Sequence, residues 1–376
     1  MQVSSKRLLS LDVFRGATVA AMILVNNPGS WASIYPPLRH ADWHGCTPTD
    51  LIFPFFLFIV GVSIAYAYGS SRLDRSRHGQ LLLKALRRTL ILFGLGLMLS
   101  LFPQVFTDPV AAFEVVRIPG VLQRIAVVFF ISTMIFLKWK ERSILWIGIG
   151  VLVFYWLLMT FVPVPGVGPA NLGKETNLGG WLDRSLLGEA HLWKSVRTWD
   201  PEGILSTLPA IGSCLFGVLV GSYLRRKDVG APVKVAWLCY YGVLALILGW
   251  LWSLQFPLNK SLWTSSFVLY TGGWATLTLA LLYWIIDVQD RKRYTKVFLV
   301  FGVNAITVFF LSGIMARSMG LIKLGDGRSL KDGIYQAVFT PYFSAHNASI
   351  AYALVFVLFW TGIVWWMYNR KIFIKI

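Results

Sequence analysis

"RHADWHGCTPTDLIFPFFLFIVG", residues 39–61, sets two histidines and two aspartates directly against an apolar run. The apolar half decides the fold class. Together with the residues that follow, it makes a segment near 50–70 long enough to cross a bilayer as a helix. Comparable runs recur along the 376 residues, of which 56% are hydrophobic and 14% charged. Mean hydropathy is +0.63. A soluble domain carries about 25% charged residues, so a buried globular core does not account for this composition. The pattern predicts an all-α, polytopic membrane helix bundle of about ten transmembrane helices. They are expected near 8–27, 50–70, 81–102, 119–137, 143–162, 203–224, 235–255, 262–286, 297–317 and 348–369. No internal repeat or low-complexity segment interrupts them.

The formal net charge of +18 does not point to nucleic acid, because the basic residues sit in short clusters between apolar spans. Lipid headgroups and membrane topology explain such clusters. The clusters at Lys6–Arg7, 72–88, 138–142, 225–234, 291–296 and 370–375 hold 22 of the 35 basic residues, and all fall on one side of the predicted bundle. The positive-inside rule makes that side cytoplasmic, with both termini on it. Cys46, Cys214 and Cys239 match no metal or disulfide spacing. No metal site is expected. The first apolar stretch runs past Asp12 and Arg15 without a small-residue cleavage site, so it does not read as a cleavable signal peptide.

The opposite side carries the longer segments, 28–49, 103–118, 163–202 and 318–347. Loops of this length are usually functional or disordered. Trp181, Trp193 and Trp199 fit either a folded cap over 163–202 or aromatic anchors at the interface. The whole chain is expected to be one transmembrane domain with that cap inside it.

Polar groups within or beside spans mark candidate sites. Asp12 and Arg15 are three residues apart, which allows a local ion pair or an anchor for an anionic ligand. Arg124 either snorkels to the interface or faces a polar cavity. Asn26 and Asn27 end the first helix, where asparagine is a natural cap. Asp200 and Glu202 flank Pro201 and also read as an ordinary helix N-terminus. Lys260, Asn304, His346 and Asn347 complete the set.

Three readings compete for "HADWHGCTPTD". Thr47 or Thr49 and Asp50 start a helix and the histidines are incidental; or His40 and His44 chelate a metal, against which Gly45 and Pro48 argue; or one histidine is a general base whose tautomer a nearby acid or amide sets.

"LLSLDVFRGATVAAMILVNNPGSW", "HADWHGCTPTDLIFPFFLFIVGVSI", "GVLQRIA", "DPEGILSTLPAIGSCLFGVLVG", "NKSLWTSSFVLYTGGWA" and the terminal "YNRKIFIKI" occur in order along the chain. This series resembles the heparan-α-glucosaminide N-acetyltransferase-like family of transmembrane acetyltransferases, which has bacterial members. The resemblance implies transfer of an acetyl group from acetyl-CoA to the amine of a glucosamine-type sugar. It implies His40 as the catalytic residue, Asn26 as the asparagine closing the first helix (with Asn27 the alternative) and Asp50 as the acid opening the second. His44 stands where the lysosomal enzyme of that family has asparagine, so the resemblance does not carry it over. No counterpart of that enzyme's luminal domain is expected here.

On this basis His40 either deprotonates the amine directly or carries the acetyl group covalently. Asn26 orients the ring or meets the oxyanion. Arg15, Arg124 and the cluster around Arg87 are candidates for CoA phosphates by charge, and Asp200, Glu202 and Lys260 mark the side the sugar approaches. Asn304 is a further candidate binding residue. The bilayer is the expected partner surface and a homodimer the expected assembly, in a bacterial inner membrane. An amino-sugar transporter and an O-acetyltransferase acting on a cell-envelope glycan are the competing functions.

Overall fold

A backbone surrounded by hydrocarbon must satisfy its own hydrogen bonds, and helices do so within one segment. The structure, a computed structural model, describes residues 8–374; Lys6, Arg7 and Lys375 of the basic flanks lie outside them. The described residues form α1 (Leu9–Asn26), α2 (Ile52–Tyr68), α3 (His78–Leu101), α4 (Pro109–Glu114), α5 (Val121–Lys138), α6 (Glu141–Phe161) and α7 (Leu178–Leu187). They continue with α8 (Thr207–Leu224), α9 (Ala231–Ser253), α10 (Ser265–Leu282), α11 (Thr295–Val303), α12 (Ala305–Leu321), α13 (Leu330–Val338) and α14 (Ala345–Asn369). The chain is an all-α integral membrane protein.

Among the described residues, eight helices are long and apolar enough to cross a membrane. They become nine if α11 and α12, bent by 81° at Asn304, count as one span. About ten were expected. The difference is α3, which matches the 81–102 segment but carries Lys84, Arg87 and Arg88 within any membrane-length window.

The chain divides into two compact units. The larger takes 40–226 and 243–274, and the smaller takes the residues up to Arg39, 227–242 and those from Ala275 onward. In the larger unit α2 lies directly on α8. A Cβ at Gly61 would stand 2.0 Å from the Cys214 carbonyl oxygen, and one at Gly217 would stand 2.1 Å from that of Phe58. Small residues at such crossings let two backbones approach, and dispersion then holds the pair where lipid offers no hydrophobic drive. The most apolar stretch of α8 is 72% buried, against 22% for α6, so α8 is the core of this unit and α6 its wall.

The 163–202 segment is folded. Asn177 caps α7 by accepting the Gly180 N–H at 2.8 Å. Trp43 donates its indole N–H to the Leu172 carbonyl at 2.8 Å and meets Trp199 edge-on at 5.0 Å. In the smaller unit α1 crosses α11 through Gly16 and Gly302. The α1 N-terminus is capped by Asp287, which accepts the Leu9 and Ser10 N–H groups at 3.2 and 3.0 Å.

Candidate active site

The approach to α2 explains why acids and histidines crowd there. Pro48–Leu51 forms a 3-10 turn that runs into α2, and Thr47 closes a capping box with Asp50. Asp50 is 1% exposed, and its two oxygens divide their work. Oδ2 accepts the Ala41 N–H at 3.1 Å, the Thr47 N–H at 3.0 Å and the Thr47 hydroxyl at 3.0 Å. Oδ1 meets His40 Nδ1 at 2.6 Å. One oxygen thus serves the helix start, and the other holds the His40 imidazole. With Asp50 accepting, Nδ1 carries the proton and the lone pair of the half-exposed ring is on Nε2.

Lys260 reaches the same ring from the turn between α9 and α10. Its Nζ lies 3.1 Å from Nε2, 3.2 Å from Nδ1 and 4.0 Å from Asp50 Oδ1. Burial lowers its pKa, and the Asp50 and Glu202 carboxylates recover only part of that. His44 turns away from this group, with Nδ1 at 3.4 Å from the Asn259 amide nitrogen, and burial lowers its pKa. Burial, helped by the Asp50 charge, pushes the Cys46 thiol up to about 12.

Behind this triad lies a buried charge cluster. Arg117 grips Asp200 bidentately, Nε to Oδ2 at 2.8 Å and Nη2 to Oδ1 at 2.6 Å, and its Nη2 also bonds Glu202. Burial opposes the Arg117 charge, but the Glu202 and Asp200 carboxylates outweigh it and raise the pKa. At Glu202 burial is outweighed by Arg117, Arg124 and Lys260, which hold the carboxyl below its usual range. Arg117 is placed by its neighbours: Ile118 N–H donates to the His191 carbonyl at 3.0 Å, and the His191 ring meets the Val116 carbonyl at 2.8 Å.

Arg124 is 2% exposed. Its Nη2 donates to the Gly203 carbonyl at 3.1 Å and to the Ser206 hydroxyl, and its plane lies 5.2 Å from the Trp263 ring. Among the described residues, Nε and Nη1 have no hydrogen-bond partner. Asp183 from α7 accepts the Ile204 N–H at 2.8 Å, and burial pushes its carboxyl up to about 7. Trp263 holds a left-handed backbone at φ 53°, where a bulky residue is strained, and donates to Ser213 Oγ at 3.0 Å.

Six of the predicted site residues thus fall in the larger unit and interact in one chain of charges: His40, Asp50, Lys260, Glu202, Asp200 and Arg124. Three others belong to the smaller unit. Arg15 pairs with Asp12 at 2.9 Å. Asn26 is the exposed last residue of α1, whereas the Asn27 amide donates to the Ile23 carbonyl at 2.7 Å as a helix cap. The Asn304 amide nitrogen donates to the Ile372 carbonyl and its oxygen accepts the Ile374 N–H, both at 3.0 Å. Sequence reasoning missed Arg117, Asp183 and Trp263. Arg117 and Asp183 read as ordinary loop charges, and nothing local to them announces partners tens of residues away.

The model of the family "Heparan-alpha-glucosaminide N-acetyltransferase, catalytic" matches residues 7–254. The chain belongs to this family. Relatives named heparan-alpha-glucosaminide N-acetyltransferase include one from Homo sapiens, 32% identical over 98% of this chain and 60% of its own length. Another, from Mus musculus, is 30% identical over 99% of this chain and 61% of its own. The chain therefore spans about three-fifths of the curated relatives it matches. The family match holds His40, Asp50, Arg117, Arg124, Asp200 and Glu202, and Lys260 lies six residues beyond it.

Proposed function

We propose that this chain transfers an acetyl group from acetyl-CoA to the amine of a glucosamine-type sugar. The observation that carries the reading is the 2.6 Å contact between His40 Nδ1 and a buried Asp50 carboxylate, which puts the ring's lone pair on Nε2. The donor supplies an activated thioester, and the residues of this chain supply proton transfer and orientation. A glucosamine amine is largely protonated near neutrality and must lose protons to become an amide. His40 Nε2 takes the proton, and Asp50 holds the ring and stabilises the imidazolium that forms. Three donors on Asp50 Oδ2 keep that carboxylate from rotating.

The sugar is proposed to enter on the side carrying Asp200, Glu202 and Lys260, where Arg117 already fixes the two acids. Arg124 brings two open donors suited to a substrate oxygen. Arg15 and the cluster around Arg87 are proposed for donor phosphates on charge alone. The role of Asn26 rests on the family resemblance and on its exposed amide. The basic flanks are the ground for proposing cytoplasmic termini and, with α3 counted as a span, a histidine loop on the outer face of a bacterial inner membrane. The 163–202 cap is read as part of one catalytic domain, and a homodimer is proposed by resemblance.

The test is thiol release. Purified protein in detergent, given acetyl-CoA and glucosamine, is expected to release CoA thiol and form the N-acetyl sugar. Uptake of amino sugar into vesicles without thiol release would replace this reading with transport.

A further inference from the structure

Acetyl transfer from a thioester to an amine involves two proton movements, and His40 accounts for one. As the new C–N bond forms and the C–S bond breaks, the electron pair leaves on sulfur, and the thiolate needs a proton. The group that provides it must stand beside the imidazole without blocking its lone pair.

Lys260 meets that requirement. Its near-equal distances of 3.1 and 3.2 Å to the two ring nitrogens put Nζ over the imidazole face rather than in line with either lone pair. Among the described residues no oxygen accepts a hydrogen bond from Nζ, Asp50 Oδ1 standing at 4.0 Å. Beyond its contact with the imidazole, the ammonium therefore keeps N–H groups for a substrate atom. The lysine is also held in place. Leu262 N–H donates to Asn259 Oδ1 at 2.8 Å, Asn259 N–H to Thr264 Oγ1 at 3.1 Å, and Thr264 Oγ1 to the Pro257 carbonyl at 2.8 Å. Gly45 N–H reaches the Leu258 carbonyl at 2.7 Å, tying this turn to the histidine loop.

We infer that Lys260 is the general acid of the reaction, giving a proton from its ammonium to the departing thiolate sulfur. The imidazolium of His40, beside it, then returns a proton to the neutral amine after a small rotation of the lysine chain. Summed over the cycle, the sugar ammonium gives up one proton to solvent before attack, and the second proton lost by its nitrogen ends on the thiol. The inference rests on the acetyl-transfer reading above. The groups facing Nζ are His40, Cys46 and Asp50 from the loop before α2, Glu202 from the segment before α8, and Arg124 from α5. Burial favours release of the proton, and the two carboxylates keep the amine protonated beforehand.

An acid that protonates a leaving group matters only when the leaving group is basic. Lys260→Met and Lys260→Arg are compared with the parent on acetyl-CoA and on S-phenyl thioacetate, whose thiolate leaves unaided. Arginine keeps the charge but does not give up a proton. Both variants are expected to lose about 100-fold in kcat/KM on acetyl-CoA and less than about threefold on the aryl thioester. Near-parental activity of Lys260→Arg on acetyl-CoA, or equal loss on both donors, overturns the inference. If neither variant folds, the parent's rates across acetyl thioesters of graded thiol acidity decide: a shallow dependence supports the acid, a steep one overturns it. Absence of thiol release by the parent with any amino sugar overturns the acetyl-transfer reading itself, a result distinct from silent variants beside an active parent.

Discussion

Asn304 in the smaller unit and Lys260 in the larger look alike as letters, each a polar residue next to an apolar span. Their surroundings set them apart. Both ends of the Asn304 amide are taken by backbone, the Ile372 carbonyl and the Ile374 N–H. That geometry ties the 81° break between α11 and α12 to the C-terminal segment. The Lys260 ammonium instead faces an imidazole, with no oxygen in hydrogen-bond reach among the described residues. Arg124 shows the same incompleteness, two buried donors without acceptors among the described residues, where each would cost about 1–3 kcal/mol if left so. A polar group whose bonds are filled by its own chain holds structure together; one left open invites chemistry.

That contrast can be broken, and the largest effect is expected at the open end. His40→Ala should lower thiol release from acetyl-CoA by about 10²–10⁴-fold while leaving the melting temperature close to the parent's. Loss of folding instead of rate would assign His40 to the filled class. Arg117→Ala should act on stability first. It strands Asp200 and Glu202 as buried unpaired carboxylates, and about 3–5 kcal/mol of unfolding free energy is expected to go, read by denaturant titration in detergent.

Asn304→Ala tests the other side. It leaves a carbonyl and an N–H of the C-terminal segment unbonded and should cost about 1–3 kcal/mol with kcat/KM unchanged. A raised KM at full stability would move Asn304 to the open class, as the sequence expectation had it.

An effect read against pH concerns Asp183, whose folded pKa of about 7 lies above that of an unfolded aspartate, near 4. Below about pH 4 both states hold the proton, so the residue contributes no pH dependence. As pH rises toward 7 the unfolded state ionises first and stability falls; beyond 7 the loss is complete. Asp183→Asn keeps an acceptor for the Ile204 N–H, so the variant should gain on the parent in melting temperature across that window. A constant difference between them would refute the assignment.

Much of this was legible in the letters, for reasons that differ by residue. Apolar runs of membrane length have few alternatives to helices, which is why the all-α reading held. The count was less secure because α3 combines sufficient length with three basic residues, a combination that periodicity does not resolve. Asp50 was readable because its position before an apolar run already implied a cap, and a buried cap oxygen has a second lone pair to offer. Arg117 was not readable, since its partners lie 83 and 85 positions away and only the folded chain brings them together. Asp183 is similar: in the sequence it is a polar residue of a surface loop, and only its burial in the fold makes it a titrating group near neutrality.

Cys46 has a practical bearing on every rate named above. A thiol displaced to about 12 is almost wholly un-ionised in neutral buffer, and Cys214 is sealed in the interior. A colorimetric disulfide dye reports thiolate, so these two side chains should add little to the blank. Only Cys239, on an outward-facing part of α9, remains for the dye to meet, and replacing it with serine should give a reagent-silent background for following CoA as it is freed.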